Sequence, residues 1–187
     1  MNRLDRFNEC VSSRGYRRTL LGVSWKRVGD CMYFQPSREK VDWILNLLAA
    51  LPFVLFINRR LFIVPLGAAL GWLTIRRIVQ RNWVSSYCGV SQGGWWASLS
   101  SAKMRRPALT FGCPNLYFGD AWHGRVFNQV VHVETPTDIV TRLPTWARKG
   151  RKVVVLGGSA TRPDDISEIV WKLGHTYPEY RQRMEST

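Results

Sequence analysis

His123, His132 and His175 are the only imidazoles among 187 residues, so a general base near neutral pH must come from one of these three or from a perturbed carboxylate. Asp120 stands three residues before His123, and Glu134 stands two after His132, on the same side of an extended segment. Acyl or group transfer would need a nucleophile, Ser159 or a cysteine, to meet one of these imidazoles in space, and no spacing in the sequence brings such a pair together. The expectation is therefore histidines without a catalytic part and a protein that is not an enzyme.

The best small-ligand signal is Gly157-Gly158-Ser159-Ala160-Thr161, because a glycine-rich loop between strand and helix aims backbone N–H groups at an anion. The segment is neither G-x-G-x-x-G nor a P-loop with its Lys-Ser or Lys-Thr. Asp164, Asp165 and Glu168 at the expected helix start would repel phosphate. Gly157, Gly158 and Ser159 thus read as a weak anion site, more simply as a tight turn, and no cofactor is expected. Cys10, Cys31, Cys88 and Cys113 lack C-x-x-C spacing and a histidine at finger spacing, so they read as reduced, small apolar residues and not as metal ligands.

Around these residues the pattern predicts a small C-terminal α/β unit. Val126 to Val133 reads as a strand, and Thr135-Pro136-Thr137-Asp138 as a capping box that opens a helix towards Gly150, kinked at Pro144. Lys152 to Leu156, all Val and Leu after the lysine, reads as a second strand covered on both faces, with a helix over about 163–173 behind it. A short helix is expected near 3–11. Ser85 to Ser101, rich in Ser and Gly around Trp95-Trp96, reads as a connector.

The loudest signal is different in kind. Trp43 to Ile57 and Leu61 to Ile75 are two apolar runs broken by Asn58-Arg59-Arg60, without a charge inside either. Each is about 15 residues, or about 22 Å as a helix, against a hydrocarbon core of about 30 Å. Snorkelling by Arg59, Arg60, Arg76 and Arg77 and interfacial anchoring by Trp43, Trp72 and Trp83 would make up the shortfall, and a transmembrane helical hairpin is the prediction. Gly67 and Gly71 form a G-x-x-x-G pair suited to close helix packing. The resulting fold class is an α+β membrane protein: a basic arm over 1–40, the hairpin over 41–81, a connector over 82–108 and the α/β region over 109–187.

A net charge of +14 calls for an acidic environment. Of 27 basic residues only Arg59 and Arg60 fall in the predicted turn, which by the positive-inside rule puts both termini on the matrix or cytoplasmic side. Together these features predict a non-catalytic accessory subunit of a large membrane complex, of the respiratory-chain or ATP-synthase type in the mitochondrial inner membrane. Its partners would be other membrane subunits and anionic lipids such as cardiolipin, with nucleic acid disfavoured. Two alternatives from other classes are a two-span effector with a nucleotide-sensing α/β domain and an RNA-contacting protein of an organellar ribosome.

Overall fold

Covalently distant segments build one seven-stranded sheet, in the order β1 (Arg17–Arg18), β2 (Val23–Val28), β3 (Cys31–Pro36), β6 (Ser86–Val90), β7 (Ala108–Phe111), β8 (Val130–Glu134) and β9 (Val153–Val155). The computed structural model describes residues 2–19, 23–36, 43–118, 121–150 and 152–187, with Trp43 and residues 121–123 described by backbone alone. β1, β2 and β3 form an antiparallel edge, while β3, β6, β7, β8 and β9 run parallel. A parallel sheet needs crossovers and is covered on both faces. Here α3 (Leu66–Arg81) and α4 (Gly93–Met104) pack one face, and α1 (Arg3–Val11) and α7 (Tyr177–Glu185) the other. That double cover is why β6 is buried along its whole length.

The predicted transmembrane hairpin is absent. Trp43 to Ile57 divides into α2 (Trp43–Ala49) and β4 (Pro52–Ile57), and Leu61 to Ile75 falls in β5 (Arg60–Pro65) and the start of α3. Among the described residues no helix is long and apolar enough to cross a membrane. Pro52 and Pro65, read as kinks, open β4 and close β5, positions at the end of a two-stranded ribbon where a missing N–H is tolerated. Asn58 and Arg59 have φ of 51° and 61°, so the arginine-bearing break is a two-residue β-turn of the primed kind, closed by the pair Ile57 and Arg60. With the spans go the α+β membrane class, the inner-membrane location, the sidedness of the termini and the role of membrane-complex subunit.

The region read as a connector is the centre of the molecule. Ser85 to Ser101 holds β6 and most of α4, and α4 is buried on every side from Gly93 to Ala102. Gly67 and Gly71 lie on α3 at close contacts: a Cβ at Gly67 would stand 2.9 Å from Ala49 of α2 and 3.1 Å from the Trp95 ring of α4, and one at Gly71 1.9 Å from the Trp96 indole nitrogen.

The C-terminal third also departs from expectation. Beyond β8, Asp138 caps a single 3-10 turn, Ile139–Arg142, in place of a helix reaching Gly150. β9 pairs parallel to β8 but is the sheet edge, with Val155 59% exposed. The last helices are the short α6 (Glu168–Lys172) and α7, with α5 (Ala121–Val126) preceding β8.

Candidate active site

Between β6 and α4 the chain reads Gly89-Val90-Ser91-Gln92-Gly93, a G-x-S-x-G sequence at a strand-to-helix turn. Ser91 sits at φ 52°, a backbone state that costs a non-glycine residue of order 1–3 kcal/mol and lifts its side chain out of the turn. The two flanking glycines make so sharp a reversal fit. A Cβ on Gly89 would come within 2.3 Å of the Gly93 carbonyl oxygen, and one on Gly93 within 2.3 Å of the Phe34 carbonyl oxygen on β3. The turn is closed by N–H donation from Gly94 to the Ser91 carbonyl at 2.9 Å, and α4 starts directly. The N–H of Gln92 therefore lies at a helix N-terminus, where the dipole favours negative charge.

His175 reaches this serine from far along the chain. Its Nε2 lies 2.9 Å from Ser91 Oγ, and its Nδ1 lies 2.9 Å from Oδ2 of Asp138. Asp138 is fully buried, and its carboxylate also accepts from the Val140 N–H at 2.9 Å and the Tyr180 hydroxyl at 2.7 Å. Burial, and then the neighbouring Asp138 charge, push the Tyr180 phenol far above its ordinary range, so it stays a neutral donor. The loops carrying Asp138 and His175 cross in contact. Gly174, at φ 65°, has room for no side chain, since a Cβ would meet the Thr137 carbonyl at 2.4 Å, and Ile139 donates to the Leu173 carbonyl at 3.1 Å.

α7 holds the His175 loop from below. Its Glu179 and Arg183 are buried and paired at 3.0 Å, and Glu179 accepts from the Thr137 hydroxyl beside Asp138. On the other side Phe7 of α1 stacks on Tyr180 at 5.9 Å between ring centroids and meets Phe111 of β7 edge-on at 5.2 Å.

A cavity of about 590 Å³ opens above Ser91 and His175. Leu47, Trp95, Val140, Leu143 and Trp146 line it, and among the described residues no Asp, Glu, Lys or Arg does. Leu47 comes from α2, which is tied over the cavity by donation from Trp146 Nε1 to the Ala50 carbonyl at 3.1 Å and from Gln92 Nε2 to Asn46 Oδ1 at 3.1 Å. Such a site can accept an apolar chain and present a carbonyl to a serine.

No family model and no curated sequence matches the chain. Solved structures do. The Lip2 lipase of Yarrowia lipolytica superposes with a TM-score of 0.55 at 12% identity, over 77% of this chain and 65% of the lipase. A triacylglycerol lipase described as having a serine-protease triad for its catalytic centre gives 0.56 at 16% identity, over 75% and 64%. Rhizomucor miehei triacylglyceride lipase gives 0.53 at 13%, over 76% and 65%. This is an α/β-hydrolase-like fold resembling the fungal lipases. The chain spans just under two thirds of the length of those lipases. The likeness overturns the accessory-subunit reading and both alternatives, together with the expectation of no enzyme.

Of the described residues that the sequence offered as a base, nucleophile or anion site, His175 alone enters this site. His132 is buried in the sheet with Nδ1 2.8 Å from Thr110 Oγ1, and Asp120 and the side chain of His123 lie outside the described residues. The Gly157 and Gly158 carbonyls accept from Arg183, and Ser159 lies exposed. Trp72 is a core residue, Trp83 is exposed under the Arg106 guanidinium at 5.1 Å, and the side chain of Trp43 lies outside the described residues. Arg59 and Arg60 flank the hairpin tip, and Arg76 and Arg77 are exposed on α3. Ser91 and Asp138 were missed, although G-x-S-x-G followed by Asp and then His is the chain order of this fold's triads and was there to be read.

Proposed function

We propose that the protein is a serine hydrolase that cleaves carboxylic esters with an apolar acyl chain. The observation that carries this is the continuous relay from Ser91 through His175 to a buried Asp138 at the floor of an apolar cavity. Ser91 Oγ attacks the ester carbonyl as His175 Nε2 takes its proton, and Asp138 stabilises the imidazolium that forms. The carbonyl oxygen becomes an oxyanion, which the Gln92 N–H is positioned to receive. In this fold a second donor comes from the loop after the third strand; residues 37–42, which follow β3 in the sequence, lie outside the described residues. Collapse expels the alcohol, protonated by His175, and leaves an acyl-Ser91 ester. Water, deprotonated by His175, then attacks that ester, and the carboxylic acid leaves as Ser91 regains its proton.

The support from the fold likeness is secondary, because it concerns architecture and the lipases' substrates are theirs. The test is hydrolysis of a p-nitrophenyl ester series by the full chain and by Ser91→Ala, with labelling by a fluorophosphonate. The expected outcome is labelling at Ser91, turnover that improves with acyl length, and a loss of about 10⁴-fold or more in Ser91→Ala. Equal activity in the variant, or no labelling of the folded parent, would refute the proposal.

A further inference from the structure

The β4–β5 hairpin is apolar on both faces. Leu55, Ile57, Phe62 and Val64 are buried in the core, while Val54, Phe56 and Leu61 on the other face are 54%, 67% and 59% exposed. Phe56 and Leu61 are direct cross-strand partners, so their side chains form one patch. α2, which runs into β4 through Leu51, adds exposed Leu45 and Leu48. Scattered apolar side chains on a surface are ordinary, but an outward sheet face without a polar residue at its centre is not.

At the hairpin tip the surface becomes cationic. Three cavities of about 340, 580 and 310 Å³ open around the turn, the first between Arg60, Arg105 and Arg125, the second between Arg59, Lys103 and Arg105, the third between Arg76, Arg77 and Lys103. Phe56 lines two of them, and among the described residues no Asp or Glu lines any. The sequence agrees: from residue 43 through residue 119 there are eight Lys and Arg and no acidic residue.

We propose that this face docks on an anionic phospholipid bilayer, with Val54, Phe56 and Leu61 entering the boundary between head groups and acyl chains and the tip cations holding lipid phosphates. A bilayer supplies the negative surface and the apolar layer together. Nucleic acid would answer the cations and leave the aliphatic patch in water, and a second copy would set eight cations against eight. The segment lies on the bilayer and crosses nothing. Leu47 of α2, the helix that runs into the docked hairpin, lines the cavity above Ser91, while Val54, Phe56 and Leu61 do not, so the docking is independent of the catalytic chemistry.

The experiment is flotation of the full chain, carrying Ser91→Ala, with vesicles of phosphatidylcholine alone or mixed with phosphatidylglycerol. Binding is expected to the mixed vesicles and to weaken as salt rises. Arg59→Gln and Arg105→Gln are each expected to lower the partition coefficient about fivefold, and Phe56→Asp by about tenfold or more, with unfolding midpoints measured for every variant. Equal binding to both vesicle types, no binding, or binding indifferent to Phe56→Asp would overturn the proposal. So would sedimentation showing a dimer that Phe56→Asp dissociates. If the parent floats but cleaves no ester, the proposed function fails and the docking site stands; the reverse result separates them the other way.

Discussion

β6 and the β4–β5 hairpin are both poor in charge, yet one is sealed and the other open. β6 has strands on both sides and helices on both faces, so its small residues, Gly89 among them, serve to bring α4 and Ser91 close. Among the described residues the hairpin is backed on one face, and Val54, Phe56 and Leu61 on its outer face are left exposed. Apolar character in a sequence therefore says that a segment avoids water, and leaves open whether its own chain or something else covers it.

The comparison predicts a graded set of outcomes. The largest belongs to the sealed region: Asp138→Asn should lower kcat/KM for a chromogenic ester by about 10⁴-fold, with the fold retained, because the wrong imidazole tautomer is then held. Gly93→Val should cost more than about 3 kcal/mol in urea unfolding, since its Cβ would lie 2.3 Å from the Phe34 carbonyl oxygen, far inside van der Waals contact. A value below about 1 kcal/mol would mean the β6–α4 turn is looser than described.

His132 probes the same region through pH. Burial, followed by the Lys149 charge, lowers its pKa to about 3, and its Nε2 has no hydrogen-bond partner among the described residues. An unfolded imidazole titrates near about 6.5, so its contribution is complete above that pH and is lost as pH falls towards about 3, by about 1.4 kcal/mol per unit. His132→Gln should flatten that slope in pH-resolved denaturation. The smallest effect is expected on the open face, where Phe56→Ser should change unfolding free energy in vesicle-free buffer by less than about 0.5 kcal/mol. A large loss there would show that the face is covered after all.

Much of this could be read in the sequence, unevenly. The helix over 3–11 follows from local pattern, and the expected strands over 126–133 and 152–156 contain most of β8 and all of β9, although Val126 closes α5. The hairpin did not, because Val54, Phe56 and Leu61 are as apolar as the buried residues they alternate with, which erases the two-residue period. α4 was hidden for the opposite reason: buried on all sides, it has no polar face to mark a helical period. Asp138 looked like part of a capping box, and a cap it is, to the N–H of Val140. The spacing of residues 91, 138 and 175 does not announce their meeting, which is a product of topology; the legible hints are the glycines around Ser91 and the chain order of Ser, Asp and His.

Phe7 is among the first residues of the chain and touches no substrate, but its ring is wedged between the sheet and Tyr180, whose hydroxyl braces the acid of the relay. A fault in α1 is thereby felt by chemistry assembled from residues 91, 138 and 175. Clipping or loosening α1 would unseat the brace and idle the serine while leaving every catalytic side chain in place in the sequence.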